Sequence, residues 1–214
     1  MRRIPTTALV LTTLAALALG ITPAAAGPAA ERGRSCTIED TAGDDNLTGT
    51  SGDDVICAGA GNDSVNALAG NDVVLGGRGN DTIRGGRGDD LLNGNTGRDT
   101  IRGDEGDDVV RGKRGNDSLR GGSGMDRFFG SGGADFVRGG DQDDRIVGGK
   151  GDDNLAGSAG NDEITGGIGA DLLAGWSGDD TLHGIDGVDG NDSLKGSTGT
   201  DVCEADPGDT VTGC

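Results

Sequence analysis

The chain carries 37 acidic against 18 basic side chains over 214 residues, a formal net charge of −19, with 46 glycines, three phenylalanines, one tryptophan and no tyrosine. So acidic a chain argues against nucleic acid or an anionic membrane as its primary partner. Glycine-rich, aromatic-poor chains are commonly disordered, so order here has to come from a pattern rather than from a bulky core.

Residues 1–26 are expected to be a secretory signal. Arg2 and Arg3 give the positive start, Ala8 to Ile21 the apolar stretch, and Ala24-Ala25-Ala26 a small-residue cleavage site. The apolar stretch is short and interrupted by threonine, below the ~20 residues of a spanning helix, so no membrane partner is expected after cleavage. Loss of Arg2 and Arg3 deepens the acidic excess. Residues 27–40 are expected to form an N-terminal extension or cap.

From 41 to 184 an aspartate recurs every nine residues through sixteen units. These are Asp45, Asp54, Asp63, Asp72, Asp81, Asp90, Asp99, Asp108, Asp117, Asp126, Asp135, Asp144, Asp153, Asp162, Asp171 and Asp180. Two residues after each stands an apolar residue, from Leu47, Ile56 and Val65 through to Leu173 and Leu182. Two residues before each stands a glycine, except at Gln142, which is expected to alter its loop. A register held this long defines a repeat protein. Ile185 to Gly187 interrupt the frame, two further repeats with Asp192 and Asp201 follow over 188–205, and 206–214 reads as a C-terminal cap.

The best-formed units are GGRGNDTIR from Gly76, GGRGDDLLN from Gly85, GGKGDDNLA from Gly148 and GGIGADLLA from Gly166. They fit the glycine-aspartate nonapeptide GGxGxDxUx, and over residues 41 to 205 the chain resembles the hemolysin-type (RTX) calcium-binding repeat family. The resemblance implies an all-β fold, a parallel β-roll or right-handed β-helix solenoid of about nine 18-residue coils. It implies multiple calcium ions as the cofactor, with the sixteen aspartates Asp45 to Asp180 as carboxylate ligands. Each ion would lie between turns stacked on one edge, so that Asp81 shares an edge with Asp63 and Asp99, and Asp90 with Asp72 and Asp108.

The residue chemistry agrees with that implication. Aspartate and backbone carbonyls are hard oxygen donors, which suit calcium rather than zinc or copper. Each unit is expected to divide into a six-residue turn and a three-residue strand. Turn glycines supply positive φ, and the Asn or Asp before the repeat aspartate, as at Asn62, Asn80, Asp89 and Asn161, tolerates left-handed geometry. One turn glycine is present at Gly59, Gly77, Gly86, Gly122, Gly140, Gly149 and Gly167, but Leu68, Lys113 and Trp176 replace it elsewhere. In the strand only the middle residue is expected to face inward. One inward side chain per nine residues is a thin core, and stacked carboxylates repel. The calcium-free chain is therefore expected to be largely unfolded and the calcium form a rod. The first two units are expected to hold weak or empty sites, and the insertion to break the stack and weaken any site beyond Asp180.

Four cysteines in an exported chain favour disulfides. If the repeats stack, Cys57 and Cys203 lie about eight coils apart, roughly 40 Å at ~4.8 Å per coil, too far for a disulfide. Of the three pairings, Cys36–Cys57 and Cys203–Cys214 survive, each stapling an end coil.

Stacking by eighteen also sorts the outward residues into columns. Arg84, Arg102, Arg120 and Arg138 should share one outer face, either to grip a polyanion such as a cell-wall polymer or matrix, or merely to offset the acidic turns. Val55, Val73, Leu91 and Val109 should line the other, as an interface or beneath the segment Gly27 to Asp40. Trp176 reads as local packing and His183 as a lone exposed histidine. There is no HExxH zinc helix and no GxSxG elbow, so no enzyme activity is expected. The expected function is calcium binding by a secreted protein that folds on the ion. The alternative is a calcium-rigidified adhesion module that uses the arginine row. Neither reading fixes an oligomeric state.

Overall fold

The computed structural model describes residues 35–39, 41–188 and 191–214. The expected signal segment, residues 1–26, and residues 27–34 and 40 of the extension lie outside them. Among the described residues there are twenty strands and no helix. Odd-numbered strands in chain order make one ten-stranded parallel sheet and even-numbered strands the other, so two nonapeptides close one 18-residue coil. Ten strands per sheet is one more than the repeats alone suggest, because Ile38–Glu39 and Thr210–Thr212 add a strand at the two ends.

The core is two columns of single side chains. Ile56, Val74, Leu92, Val110, Phe128, Ile146, Ile164 and Leu182 stack in the first sheet. Val65, Ile83, Ile101, Leu119, Val137, Leu155, Leu173 and Leu194 stack in the second. All are buried. Valine and isoleucine, which pack well on a pleated surface, share these columns with leucine and one phenylalanine.

The strands run six residues, not the expected three. In Thr82–Arg87 both Ile83 and Gly85 face the interior while Thr82 and Arg84 face solvent. The pleat continues through the first glycine of the next unit because nothing projects from its Cα. Positive φ falls on the turn glycines, as at Gly77, Gly79, Gly86 and Gly88, but not on the Asn or Asp before the repeat aspartate. The second glycine place takes positive φ even where it is Leu68 (φ 80), Lys113 (φ 83) or Trp176 (φ 80), whereas Asn62, Asn80, Asp89 and Asn161 do not adopt it.

The insertion does not break the stack. Leu173 still pairs with Leu194 and Trp176 with Ser197. The extra residues bulge from the turn, where Asp186 accepts from Val188 N–H at 2.8 Å and Asp206 accepts from Gly187 N–H at 2.7 Å. Gln142 takes φ 77 where the glycines in its place from Gly61 to Gly178 run from 112 to 145, so its turn is altered as expected, yet the aspartate ladder passes it, with Asp144 N–H donating to Asp162 Oδ1 at 2.8 Å.

Both expected disulfides form, Cys36–Cys57 and Cys203–Cys214, each with Cα atoms 5.9 Å apart. The first sits where Thr37 N–H donates to Val55 O at 2.7 Å and Val55 N–H to Thr37 Oγ1 at 2.9 Å, tying the N-terminal strand to the first full coil. On that outer face Val55 is buried and Val73, Leu91 and Val109 are half-buried. The apolar column then gives way to Arg127 and Arg145.

Candidate metal sites along two edges

Coiling places the repeat aspartates on two edges, one following each sheet. Along each edge the carboxylates form a directional ladder. Asp63 N–H donates to Asp81 Oδ1 at 3.0 Å, Asp81 N–H to Asp99 Oδ1 at 2.8 Å, and Asp99 N–H to Asp117 Oδ1 at 2.8 Å. The other edge repeats this from Asp54 through Asp72, Asp90, Asp108 and Asp126. The trios expected to share an edge therefore do so, and both ladders continue through Asp135, Asp144, Asp153, Asp162, Asp171 and Asp180.

That ladder uses only Oδ1. The second carboxylate oxygen, Oδ2, is buried and has no hydrogen-bond partner at every repeat aspartate from Asp63 to Asp180. A buried charged oxygen without a partner is costly, and its recurrence at one place in every unit is a built feature. The pocket it faces exists because the first glycine of the unit lacks a side chain. A Cβ on Gly76 would lie 2.5 Å from Asp81 Oδ2 and 2.9 Å from the carbonyl oxygen of Gly94 in the next coil. Carboxylate and carbonyl oxygens thus converge on one small space. Gly85 stands in the same relation to Asp90 and the Gly103 carbonyl, and Gly148 to Asp153 and the Gly166 carbonyl.

Burial sets the electrostatics. It pushes the Asp108 and Asp144 carboxyls up to about 8, with like charges on stacked neighbours adding to the rise. Asp90, Asp99, Asp135 and Asp162 rise to about 7, and Asp81, Asp126, Asp153 and Asp171 to about 6. The N–H bond to Oδ1 favours the charged form but does not offset desolvation. A proton or a cation near neutral pH would relieve the cost of burying these charges.

The ends of the ladder differ. Asp54 Oδ2 accepts from Thr50 N–H at 2.7 Å and Thr50 Oγ1 at 2.9 Å, and these bonds lower its pKa. Asp45 Oδ2 accepts from Thr41 Oγ1 at 2.5 Å. Protein hydroxyls thus occupy the oxygens that are unpartnered from Asp63 onward. At the far end Asp192 and Asp201 rejoin the frame. Their Oδ1 atoms accept from Asp171 and Asp180 at 2.8 and 3.0 Å, and their Oδ2 atoms are unpartnered. The sequence places a three-residue slip before them, but their spacing of nine was the visible signal.

Where the residue before the repeat aspartate is Asn or Asp, it accepts from the next coil in a second, outer ladder of opposite sense, which is interrupted at Arg98, Met125 and Ala134. Asn80 N–H donates to Asn62 Oδ1 at 2.9 Å and Arg98 N–H to Asn80 Oδ1 at 2.7 Å. Asn and Asp recur there as acceptors for the next turn, not for their backbone conformation.

Among the described residues no three carboxylate, thiol or imidazole side chains gather as a metal cluster. A cation on these edges would draw one carboxylate oxygen per turn and take the rest of its ligands from backbone carbonyls. That donor set is all oxygen, as a hard cation such as calcium requires.

A parallel solenoid with oxygen-lined turns on both edges is the class of a repeat metal-binding β-roll. The chain matches the RTX calcium-binding nonapeptide repeat (four copies) over residues 37–65, 58–92, 66–101, 84–119, 120–155, 147–182 and 185–211. It belongs to that family, and membership implies calcium binding. The match is to calcium-binding repeats alone, and no catalytic domain is identified. No curated protein matches the chain.

Proposed function

We propose that the protein is a secreted calcium-binding β-roll whose folding is coupled to the ion. The observation that carries this reading is the row of buried, unpartnered Oδ2 atoms from Asp63 to Asp180. A column of like charges withdrawn from water opposes the stack that creates it, and divalent cations between the turns reverse that opposition. Calcium supplies charge neutralisation and oxygen coordination there. The aspartates, from Asp63 to Asp180 with Asp192 and Asp201, hold it, and the first glycine of each unit leaves room for it. Two local disulfides and the N-terminal segment Arg2 to Ala26 support export to an oxidising compartment.

The test is far-UV circular dichroism of the chain from Gly27 onward, titrated with CaCl2 and separately with MgCl2. A shift from coil to β signal with calcium, at concentrations where magnesium gives none, is the expected result. A spectrum indifferent to calcium refutes folding coupled to the ion.

A further inference from the structure

The outer face of the second sheet carries a groove that the calcium edges do not use. Register sets Arg84, Arg102, Arg120 and Arg138 side by side on successive strands, so a guanidinium recurs at about one strand spacing, ~4.8 Å. Like charges opposite one another weaken a sheet. Were these arginines present only to balance acidic residues, cross-strand pairs would be expected, as on the other sheet, where Arg145 meets Glu163 at 3.0 Å. Instead Arg84 alone is held by a carboxylate, that of Asp104, and Arg138 donates from Nε to Ser158 Oγ at 3.3 Å. Arg102 and Arg120 have no ion pair among the described residues. Four cations in line, on a chain whose net charge is −19, form a localised positive stripe.

Beside this row the next column passes from Gly122 and Gly140 to Ser158 and Trp176. Its floor is bare backbone, ending against an indole that is 56% exposed. The arginines, Lys195 and Trp176 line one groove of about 970 Å³, in which Asp104, Glu105 and Asp141 also stand. Ala174, two residues before Trp176 on the same strand face, leaves the side of the indole open.

We infer that this groove binds a linear carboxylated polysaccharide running along the solenoid axis, its carboxylates on Arg102, Arg120 and Arg138 and a sugar ring against Trp176. A guanidinium and a carboxylate form paired, charge-assisted hydrogen bonds. A pyranose ring is about as long as the spacing between strands, ~4.8 Å, so a polymer with a carboxylate on every ring keeps step with the coils, and the carboxylates on its facing side fall at the height of an arginine. Its apolar ring face suits an exposed indole. Nucleic acid carries charge at much higher density, one per ~1.7 Å of duplex axis, than a row with one cation per coil can match. The inference rests on the calcium-folded solenoid proposed above, because the row exists only when the coils are stacked.

The test is isothermal titration of the calcium-loaded chain with a galacturonate hexamer, too short for calcium to gel, with circular dichroism of every sample. The variants are Arg102→Gln with Arg120→Gln, and Trp176→Asn, chosen because Asn95 holds the equivalent turn place with φ 75. The wild type is expected to bind the hexamer. The double glutamine variant should weaken binding by about tenfold or more, since it removes two charge-assisted contacts, and Trp176→Asn should weaken it several-fold, with the β spectrum of both unchanged. A calcium-folded chain that ignores the hexamer, binds polyphosphate or single-stranded DNA more tightly, or binds equally well in all variants overturns the inference. A chain whose spectrum ignores calcium fails the earlier reading instead, and the dichroism separates the two.

Discussion

Removing one buried charge from the aspartate ladder should have opposite effects on the calcium-free and calcium-loaded chain. Asp99 is fully buried, its Oδ1 accepts from Asp81 N–H at 2.8 Å, and its Oδ2 is unpartnered. Burial raises its pKa from 3.8 to about 7, with the charges of Asp117 and Asp81 adding to the rise. At ~1.4 kcal/mol per unit, ionising Asp99 inside the folded chain costs roughly 4 kcal/mol. The folded form keeps a proton that the unfolded form releases, so this contribution is fully present below 3.8 and lost as pH rises through about 7. Without calcium the chain is therefore expected to gain β structure on acidification. Asp99→Asn retains an Oδ1 acceptor and removes the charge, so it should move the pH midpoint of that transition upward. With calcium present the neutral amide is a poorer ligand, and the calcium concentration at half-folding should rise. Circular dichroism in EDTA from about pH 4 to about pH 9, and against CaCl2 at neutral pH, reads both. A wild-type signal in EDTA that is flat or grows with pH, or an Asn variant that folds less readily in both conditions, would refute the reasoning.

Gly103→Ala places a methyl group against the Asp108 carboxylate, and calcium-dependent stability should fall by about 1–3 kcal/mol. In Gly132→Ala the nearest atom to the added Cβ is Lys113 O at 3.7 Å, and chemical denaturation should show a change within about 0.5 kcal/mol. Lys113→Gly relieves a left-handed φ of 83, so the denaturation midpoint in calcium should rise by an amount equivalent to about 1 kcal/mol. Replacing Cys36 and Cys57 with serine should cost roughly 2–4 kcal/mol locally. Hydrogen exchange should accelerate over Val55–Ala60 and stay unchanged over Val109–Arg114, because each coil of a solenoid is coupled only to its neighbours.

What could be read from the sequence is what repeats within it. The spacing of Ile83, Ile101 and Leu119 marks the core column and the stacking distance the two disulfides, while the shared edge of Asp63, Asp81 and Asp99 is what the family resemblance implies. What escaped depends on atoms that meet only after coiling. The first glycine, as at Gly76, looks like one more flexible turn residue until the coil brings the Asp81 carboxylate against its Cα. Asn62 looks like a turn former until Asn80 N–H reaches its side chain from the coil above. Thr50 carries no repeat signal at all, yet it satisfies Asp54. Trp176 reads as a packing residue in the sequence, and only the register with Ser158 and Ser197 sets it on an open face.

Because two units close one coil, the chain has a parity. Adding or deleting eighteen residues lengthens or shortens the rod and leaves every column intact. Adding or deleting nine would send all later residues to the opposite sheet, which leaves the aspartates on equivalent edges but divides the arginine row between two faces. The bulge at Ile185 to Gly187 conforms to this constraint: its extra residues are confined to a turn, and Leu194 still returns to the column of Leu173. Growth and loss of such a chain are therefore constrained in even steps, whatever its final length.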